Sequence, residues 1–390
     1  MKIIQWIDKF NPPLGGGPTS VLALINGMQD VKFEVVANAV YCHPLIEKYS
    51  GSAIISSFLP YDITGHPKYK GIYKALLLPY KTLSEYIRFK NKKKYLEKAD
   101  YDILHVNGPE INYGFTTFDR LLHNPFFQKI TNFKFVNKPK ILTLHGTPSL
   151  ETNNPADFYN EKRMIEMFDN IICVEGYIYE YVKKYAESKN AKNVWFIPNF
   201  VDANKFKYTL PTYNEKLKVL FIGRLDPTRG LDLLYGLIKN LPEYIELQII
   251  GSGASIKINE LDSLIDNKTN IKFYPNIQNE LIPKYIENAD IILNPVKVEG
   301  ISRGSLESLS CGRPVIMLDK GNRYPTIHGK TGYLIKEDIN ELLSLLEYIN
   351  DNRSELEKLG RNARKIVEEQ FSTDVIIPKI KKIYENLCYQ

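Results

Sequence analysis

The chain is built on short runs that are apolar throughout rather than alternately apolar and polar. They are KIIQWID (2–8), FEVVANAV (33–40), SAIISSF (52–58), DILHVN (102–107), KILTLH (140–145), NIICVE (170–175) and NVWFIP (193–198), then runs at 218–222, 246–250, 270–275, 290–295 and 314–318. A strand that alternates leaves one face wet, whereas a strand that is apolar on both sides must be covered on both. Helical patterns or turn-rich connections separate most of the runs, so the class is α/β with parallel, doubly wound sheets. At 390 residues the chain is longer than one core can usefully serve, which predicts two such domains. Residues 198–216, PNFVDANKFKYTLPTYNEK, break the periodicity with two prolines and read as the linker.

Composition narrows the class. With 44% hydrophobic and 25% charged residues the chain matches ordinary globular proteins, and no run approaches the ~18 apolar residues of a membrane span. MKIIQWID carries no small-residue cleavage site and reads as a first strand, not a signal peptide. Cys42, Cys173, Cys311 and Cys388 lie far apart, which signals neither a zinc site nor a disulfide framework and suits a reducing cytoplasm. A net charge of +6 is too small over this length to mark a nucleic-acid binder. No acidic cluster has metal-ligand spacing, so no divalent ion is implied.

The stretch Asn294–Val315, NPVKVEGISRGSLESLSCGRPV, places Glu299 and Glu307 eight residues apart across a loop-to-helix junction. A helix is predicted from Ser302, a favourable N-cap, to Cys311, with Leu306 and Leu309 toward the core, Gly312 just past its end and Pro314 stopping it. The amides of such a start attract an anion, most often phosphate. Arg303 in the first turn opposes the helix dipole unless an anion is present. Carboxylates beside a phosphate cannot bind it and are left to accept hydroxyl hydrogen bonds, which implies a hydroxyl-rich ligand. The competing reading is a pair of solvated glutamates on a surface helix.

Other candidates fall at strand ends, where doubly wound sheets bind ligands. Gly15, Gly16 and Gly17 form a loop, and Pro18 and Thr19 open a helix with Val21, Leu22 and Ile25 on one face. The dinucleotide fingerprint is absent there, and a plain flexible turn competes with a ligand loop. His145, in LTLHGTP, faces the crevice or settles as a core histidine; His105 reads as structural, and His43, His66, His123 and His328 have no partner spacing. In KVLFIGRLDPTRGLDLL the strand ends at Gly223, and Arg224 and Arg229 bracket a turn through Pro227. Two guanidiniums there suit a diphosphate, against the alternative of a surface ion pair with Asp226 or Asp232. Gly251 begins GSG (251–253), a further loop at a strand end.

GRLDPTRG, the 294–315 stretch and IPNFVD together resemble the family 4 retaining glycosyltransferases, and the likeness covers nearly the whole chain. It implies the GT-B fold: two Rossmann-like domains with the site in the cleft between them. The acceptor domain would span 1–205 and the nucleotide-sugar domain 206–370, with a last helix within 371–390 crossing back onto the first. The resemblance implies that Glu299 holds sugar hydroxyls, that Glu307 holds the ribose, and that His145 lies near the donor sugar. It also implies that the glycine loop approaches the donor phosphates and the acceptor. The chain departs from the family at Ser302, where a second glycine is usual, and at Arg229, where lysine is usual and the charge is kept.

The implied activity is transfer of a hexose-type sugar, with retention, from a UDP- or GDP-sugar to a hydroxyl of a glycan or lipid-linked acceptor, with no cofactor or metal. Negative charge develops on the leaving diphosphate, so catalysis would rest on Arg224, Arg229 and the amides of Ile301, Ser302 and Arg303. Gly223, Gly251 and Gly300 complete the expected donor-binding set. Three alternatives share the architecture. A sugar-nucleotide epimerase would need no acceptor, a nicotinamide oxidoreductase lacks its fingerprint here, and a binding protein would show no turnover. Residues 68–98 carry ten basic side chains against Glu85 and Glu97, interleaved with leucines and tyrosines. That pattern predicts a helix lying on an anionic inner membrane surface, or a solvated helix packed on the sheet.

Overall fold

The computed structural model describes residues 1–7, 16–38, 53–55, 87, 89–107, 133–146, 162, 165–187, 193–213, 215–252, 255–266, 268–275, 277–300 and 302–389. Gly15, Ile301 and residues 68–86 and 88 of the basic stretch lie outside them. The chain divides into two compact units, one made of Met1–Pro198 with Ile377–Gln390, the other of Asn199–Ile376.

The first unit holds a seven-stranded sheet of β1 (Lys2–Trp6), β2 (Lys32–Asn38), β3 (Ala53–Ile55), β4 (Ile103–Asn107), β5 (Lys140–Leu144), β6 (Asn170–Cys173) and β7 (Asn193–Phe196). The order is β3-β2-β1-β4-β5-β6-β7 and every pairing is parallel. Ile3, Ile4, Ile103, Leu104, Ile141 and Leu142 are consecutive pairs on adjacent strands, all fully buried, as a sheet covered on both faces requires.

Beneath the final helix, Thr373–Cys388, this core is polar at one point. His105 on β4 sits with Nδ1 2.6 Å from the Tyr384 hydroxyl and Nε2 2.7 Å from Thr143 Oγ1. Gln5 donates to the same Tyr384 hydroxyl at 3.1 Å, and Asn107 donates to Gln5 Oε1 at 2.8 Å. The network thus pins the C-terminal helix to β1, β4 and β5. Burial, with a smaller contribution from His145, pushes the His105 pKa down to about 3 from 6.5. The folded state therefore keeps His105 neutral while the unfolded chain takes up a proton between those values. Stability falls as pH drops through that window by about 1.4 kcal/mol per unit, or about 2 kcal/mol from pH 6.5 to 5. Urea unfolding followed by tryptophan fluorescence isolates this unit, because Trp6 and Trp195 are the chain's two tryptophans and both belong to it. His105→Gln is expected to be weaker at pH 7 but with a flatter pH dependence, and equal slopes in the two proteins would refute the assignment.

The second unit holds a six-stranded sheet of β8 (Leu217–Arg224), β9 (Ile245–Ser252), β10 (Ile271–Pro275), β11 (Ile291–Leu293), β12 (Val315–Leu318) and β13 (Gly332–Ile335), in the order β10-β9-β8-β11-β12-β13 and parallel throughout. The chain leaves β8 toward β9 on one side, while β11 lies on the other. The β8/β11 junction is therefore the switch point at which such sheets open a crevice. β13 was not expected from the sequence, since its four residues GYLI are too short to show a period.

The structure corrects several expectations. The division falls between Pro198 and Asn199, not at 205, and 199–213 is no linker. Val201 N–H donates to the Phe371 carbonyl at 2.9 Å, and Ser310 Oγ donates to that of Phe206 at 2.7 Å. Arg364 Nη1 also donates to the Ala203 and Phe206 carbonyls, so the segment is part of the second unit's hydrogen-bonded frame. Gly16 and Gly17 belong to the first turn of helix Gly16–Gly27 rather than to a loop. First-turn amides need no partner within the helix, so Pro18 fits directly behind them. Gly251 lies inside β9, paired with Gly223, and not in a loop. In the basic stretch, Lys92 is 2% exposed with its Nζ 4.7 Å above the Trp6 ring, so it packs inward instead of facing a membrane.

Candidate functional site

At the switch point, β8 ends on Arg224 and the chain turns through a short 3₁₀ segment, Pro227–Arg229. Asp226 caps it by accepting from the Thr228 amide at 2.9 Å, with Pro227 setting φ at its start. Gly230 closes the turn at φ 71, where a side chain would be strained and would also run into the Pro295 carbonyl and ring. The turn is thereby seated on the loop that follows β11. The Lys297 amide fastens the two by donating to the Thr228 carbonyl at 2.8 Å. Lys297 Nζ reaches Asp232 at 2.6 Å and also pairs with Glu337, whose other oxygen is 2.6 Å from Lys320. These partners raise the Lys297 pKa, the Asp232 hydrogen bond most of all. Neither Gly230 nor Lys297 was singled out from the sequence, because their roles depend on two segments 65 residues apart meeting.

Arg224 Nε lies 3.4 Å from Asp226 Oδ2 with 65% of its side chain exposed, while Asp232 is taken by Lys297. For Arg224 the ion-pair alternative thus holds with Asp226. An exposed pair of this kind contributes at most about 1 kcal/mol, so the guanidinium can exchange it for a stronger anion. Arg229 is half-buried at the last position of the same turn. Gly223 and Gly251 stand side by side on β8 and β9 directly beneath the turn.

The helix after β11 spans Arg303–Ser310 with Ser302 as its N-cap, accepting from the Ser305 amide at 3.2 Å. Asn294 donates to the same hydroxyl at 2.8 Å, which ties the cap to the end of β11. The helix ends at Cys311, followed by Gly312 at φ 74. The departure from glycine at 302 is therefore occupied by capping: the hydroxyl points into the helix, and the backbone remains the surface a ligand can meet.

The two glutamates are in different states. Glu307 is nearly covered, 15% exposed, with Arg303 Nε 3.9 Å from its Oε1. Burial pushes the Glu307 carboxyl above its usual range, offset in part by Arg303 and Lys205, and burial lowers the Arg303 guanidinium in turn. The desolvation cost exceeds what the pair recovers, so a ligand donating hydroxyl hydrogen bonds to Glu307 would relieve it. Glu299 is exposed and already accepts from the Asn322 amide at 2.9 Å, while the Gly300 amide donates back to the Asn322 carbonyl at 3.2 Å.

In the first unit, His145 follows β5, and a Cβ built on Gly17 would lie 3.8 Å from its Cδ2 and Nε2. The imidazole thus packs at the start of helix Gly16–Gly27. The structure brings His145, Gly16 and Gly17 together in one unit and Gly223, Arg224, Arg229, Gly251, Glu299, Gly300, Ser302, Arg303 and Glu307 together in the other.

Residues 200–366 match the family of glycosyl transferases group 1. The chain is 26% identical over 387 residues to an uncharacterized glycosyltransferase of Methanocaldococcus jannaschii, MJ1178, covering 97% of this chain and 96% of that one. Among solved structures it is similar to sucrose-phosphate synthase from Thermosynechococcus elongatus, with a TM-score of 0.75 at 18% identity over 99% of both chains. It is also similar to Anabaena Alr3699/HepE, solved in complex with UDP and glucose, with a TM-score of 0.73 at 15% identity over 99% of this chain and 100% of that one. At such identities the solved structures speak for the fold. Over residues 200–366 the chain thus resembles the glycosyl transferases group 1 family, and it is a glycosyltransferase with the two Rossmann-like domains of the GT-B fold.

Proposed function

We propose that the protein moves a hexose-type sugar, with retained configuration and without a metal ion, from a UDP- or GDP-sugar to a hydroxyl of a glycan or lipid-linked acceptor. One observation carries this reading: at the β8/β11 switch point the turn bearing Arg224 and Arg229 is fastened to the loop bearing Glu299, and that loop leads into a helix whose cap is tied to Asn294. Such a site gathers cationic and amide donors where a diphosphate departs, and hydroxyl acceptors on either side. Arg224 and Arg229 take the diphosphate, Glu307 the ribose and Glu299 the sugar. The UDP and glucose bound by Alr3699/HepE support a nucleotide-sugar as donor. Among the described residues no helix is long and apolar enough to cross a membrane. Because Lys92 is buried, contact with a lipid-linked acceptor would rest on the other basic residues of 68–98.

Calorimetry and thermal shift test the assignment together. A bound donor or nucleoside diphosphate at 100 times its Kd stabilises by about 2.7 kcal/mol. Glu307→Ala is expected to weaken binding of the free nucleoside diphosphate, because its partner is the ribose. Glu299→Ala should leave that affinity nearly intact while damaging transfer. The opposite pattern would mean that the two roles are exchanged, and activity abolished by chelator and restored by magnesium would remove the metal-free part of the proposal.

A further inference from the structure

We propose that the turn Gly321–Arg323 positions Glu299, holding its carboxylate ready for the sugar before the donor arrives. The proposal rests on the reading that Glu299 binds the donor sugar. Arg323 is 2% exposed, and its guanidinium is spent on main-chain carbonyls. Nε donates to Leu318 at 2.9 Å, Nη2 to Val296 at 2.9 Å, and Nη1 to Gly300 at 2.9 Å and to Val298. One planar fork thus gathers alternate carbonyls of the loop carrying Glu299 and ties them to the end of β12, a task that an ammonium with three clustered donors cannot copy.

The neighbouring residues act on Glu299 itself. The Asn322 amide donates to Glu299 Oε1 at 2.9 Å, and the Asn322 carbonyl accepts from the Gly300 amide at 3.2 Å. Asn322 Oδ1 accepts from the Tyr324 amide at 3.0 Å, which stiffens the turn. Gly321 adopts φ 65, and a Cβ there would lie 2.5 Å from Glu299 Cδ and 2.7 Å from Oε2. The carboxylate therefore lies flat on Gly321 with one oxygen held by the turn, and its Oε2 makes no hydrogen bond among the described residues. An exposed glutamate otherwise samples several rotamers, and ordering it in advance removes that entropy from the reacting complex.

A double-mutant cycle tests this, with release of UDP from UDP-glucose as the readout and water as the acceptor. Gly321→Ala, which pushes the carboxylate off the turn, is expected to lower kcat about a hundredfold with UDP affinity unchanged. In a Glu299→Ala background the same change should cost no more than about twofold, because the backbone strain is common to both backgrounds and the shared partner is gone. Arg323→Lys, which keeps the charge but not the fork, should show the same coupling and stands in if Gly321→Ala folds poorly. Equal losses in the two backgrounds overturn the proposal. Turnover by Glu299→Ala at the wild-type rate overturns the sugar-binding reading instead. Amide exchange at Asn322 judges the turn separately, also when UDP-glucose is not the donor: it should quicken in Glu299→Ala, and an unchanged rate overturns the proposal.

Discussion

Replacing Arg229 or Arg224 by alanine is expected to lower turnover by about two to three powers of ten, the loss typical of a preorganised donor aimed at developing charge. Negative charge builds on the diphosphate as its bond to the anomeric carbon breaks, so a guanidinium fixed near it stabilises the transition state more than the bound donor. Both residues sit on a turn whose shape is set by other groups: the Asp226 cap, Pro227, and Gly230 against Pro295. Losing either guanidinium therefore leaves the frame standing. Among the described residues the only ion pair lost with Arg224 is the exposed one with Asp226 at 3.4 Å, too weak to threaten the fold. Initial rates measured beside thermal unfolding separate the two effects. Lowered kcat with an unchanged Tm is the expected result, and wild-type turnover in both variants would end the assignment of the diphosphate to this turn.

Arg313→Ala is expected to destabilise the second unit by about 4 kcal/mol or more, a large share of the roughly 5–15 kcal/mol that holds a domain together. Arg313 is 1% exposed. Its Nε donates to the Ala289 carbonyl at 2.7 Å, and Nη1 donates to those of Thr209 and Cys311 at 2.7 and 3.0 Å. Nη2 donates to the Glu287 carbonyl at 2.7 Å and to Thr209 Oγ1 at 2.9 Å. Truncation strands these acceptors away from water, and each stranded group costs about 1–3 kcal/mol before any cavity is counted. It also releases Thr209 from the far end of helix Arg303–Ser310, whose start carries the site. Circular dichroism should show the second unit melting earlier, while tryptophan fluorescence, confined to the first unit by Trp6 and Trp195, stays nearly unmoved. Arg313→Lys should recover only part of the loss. A Tm for the alanine variant within a degree or two of wild type would show that these bonds exchange with water at little cost.

By itself the sequence determined whatever depends on neighbours along the chain. Continuous apolar runs require parallel sheets covered on both faces, and all the strands so read are present, together with β13. Helix Arg303–Ser310 was legible because its cap, apolar spacing and terminating Gly312 are local chemistry, and that placed the two glutamates at a helix start. Tertiary structure alone decided how those residues are used. Glu299 and Glu307 look alike in sequence, yet one is exposed and held by Asn322 and the other is covered beside Arg303. Lys92 reads as surface charge within a basic run but folds over Trp6, and Arg313 and Arg323, which were not singled out from the sequence, are buried in nests of carbonyls. The physical reason is the same for the two arginines. A charged side chain goes inside only when distant backbone segments converge to satisfy it, and the positions of those segments are a property of the packed sheet rather than of any stretch of residues.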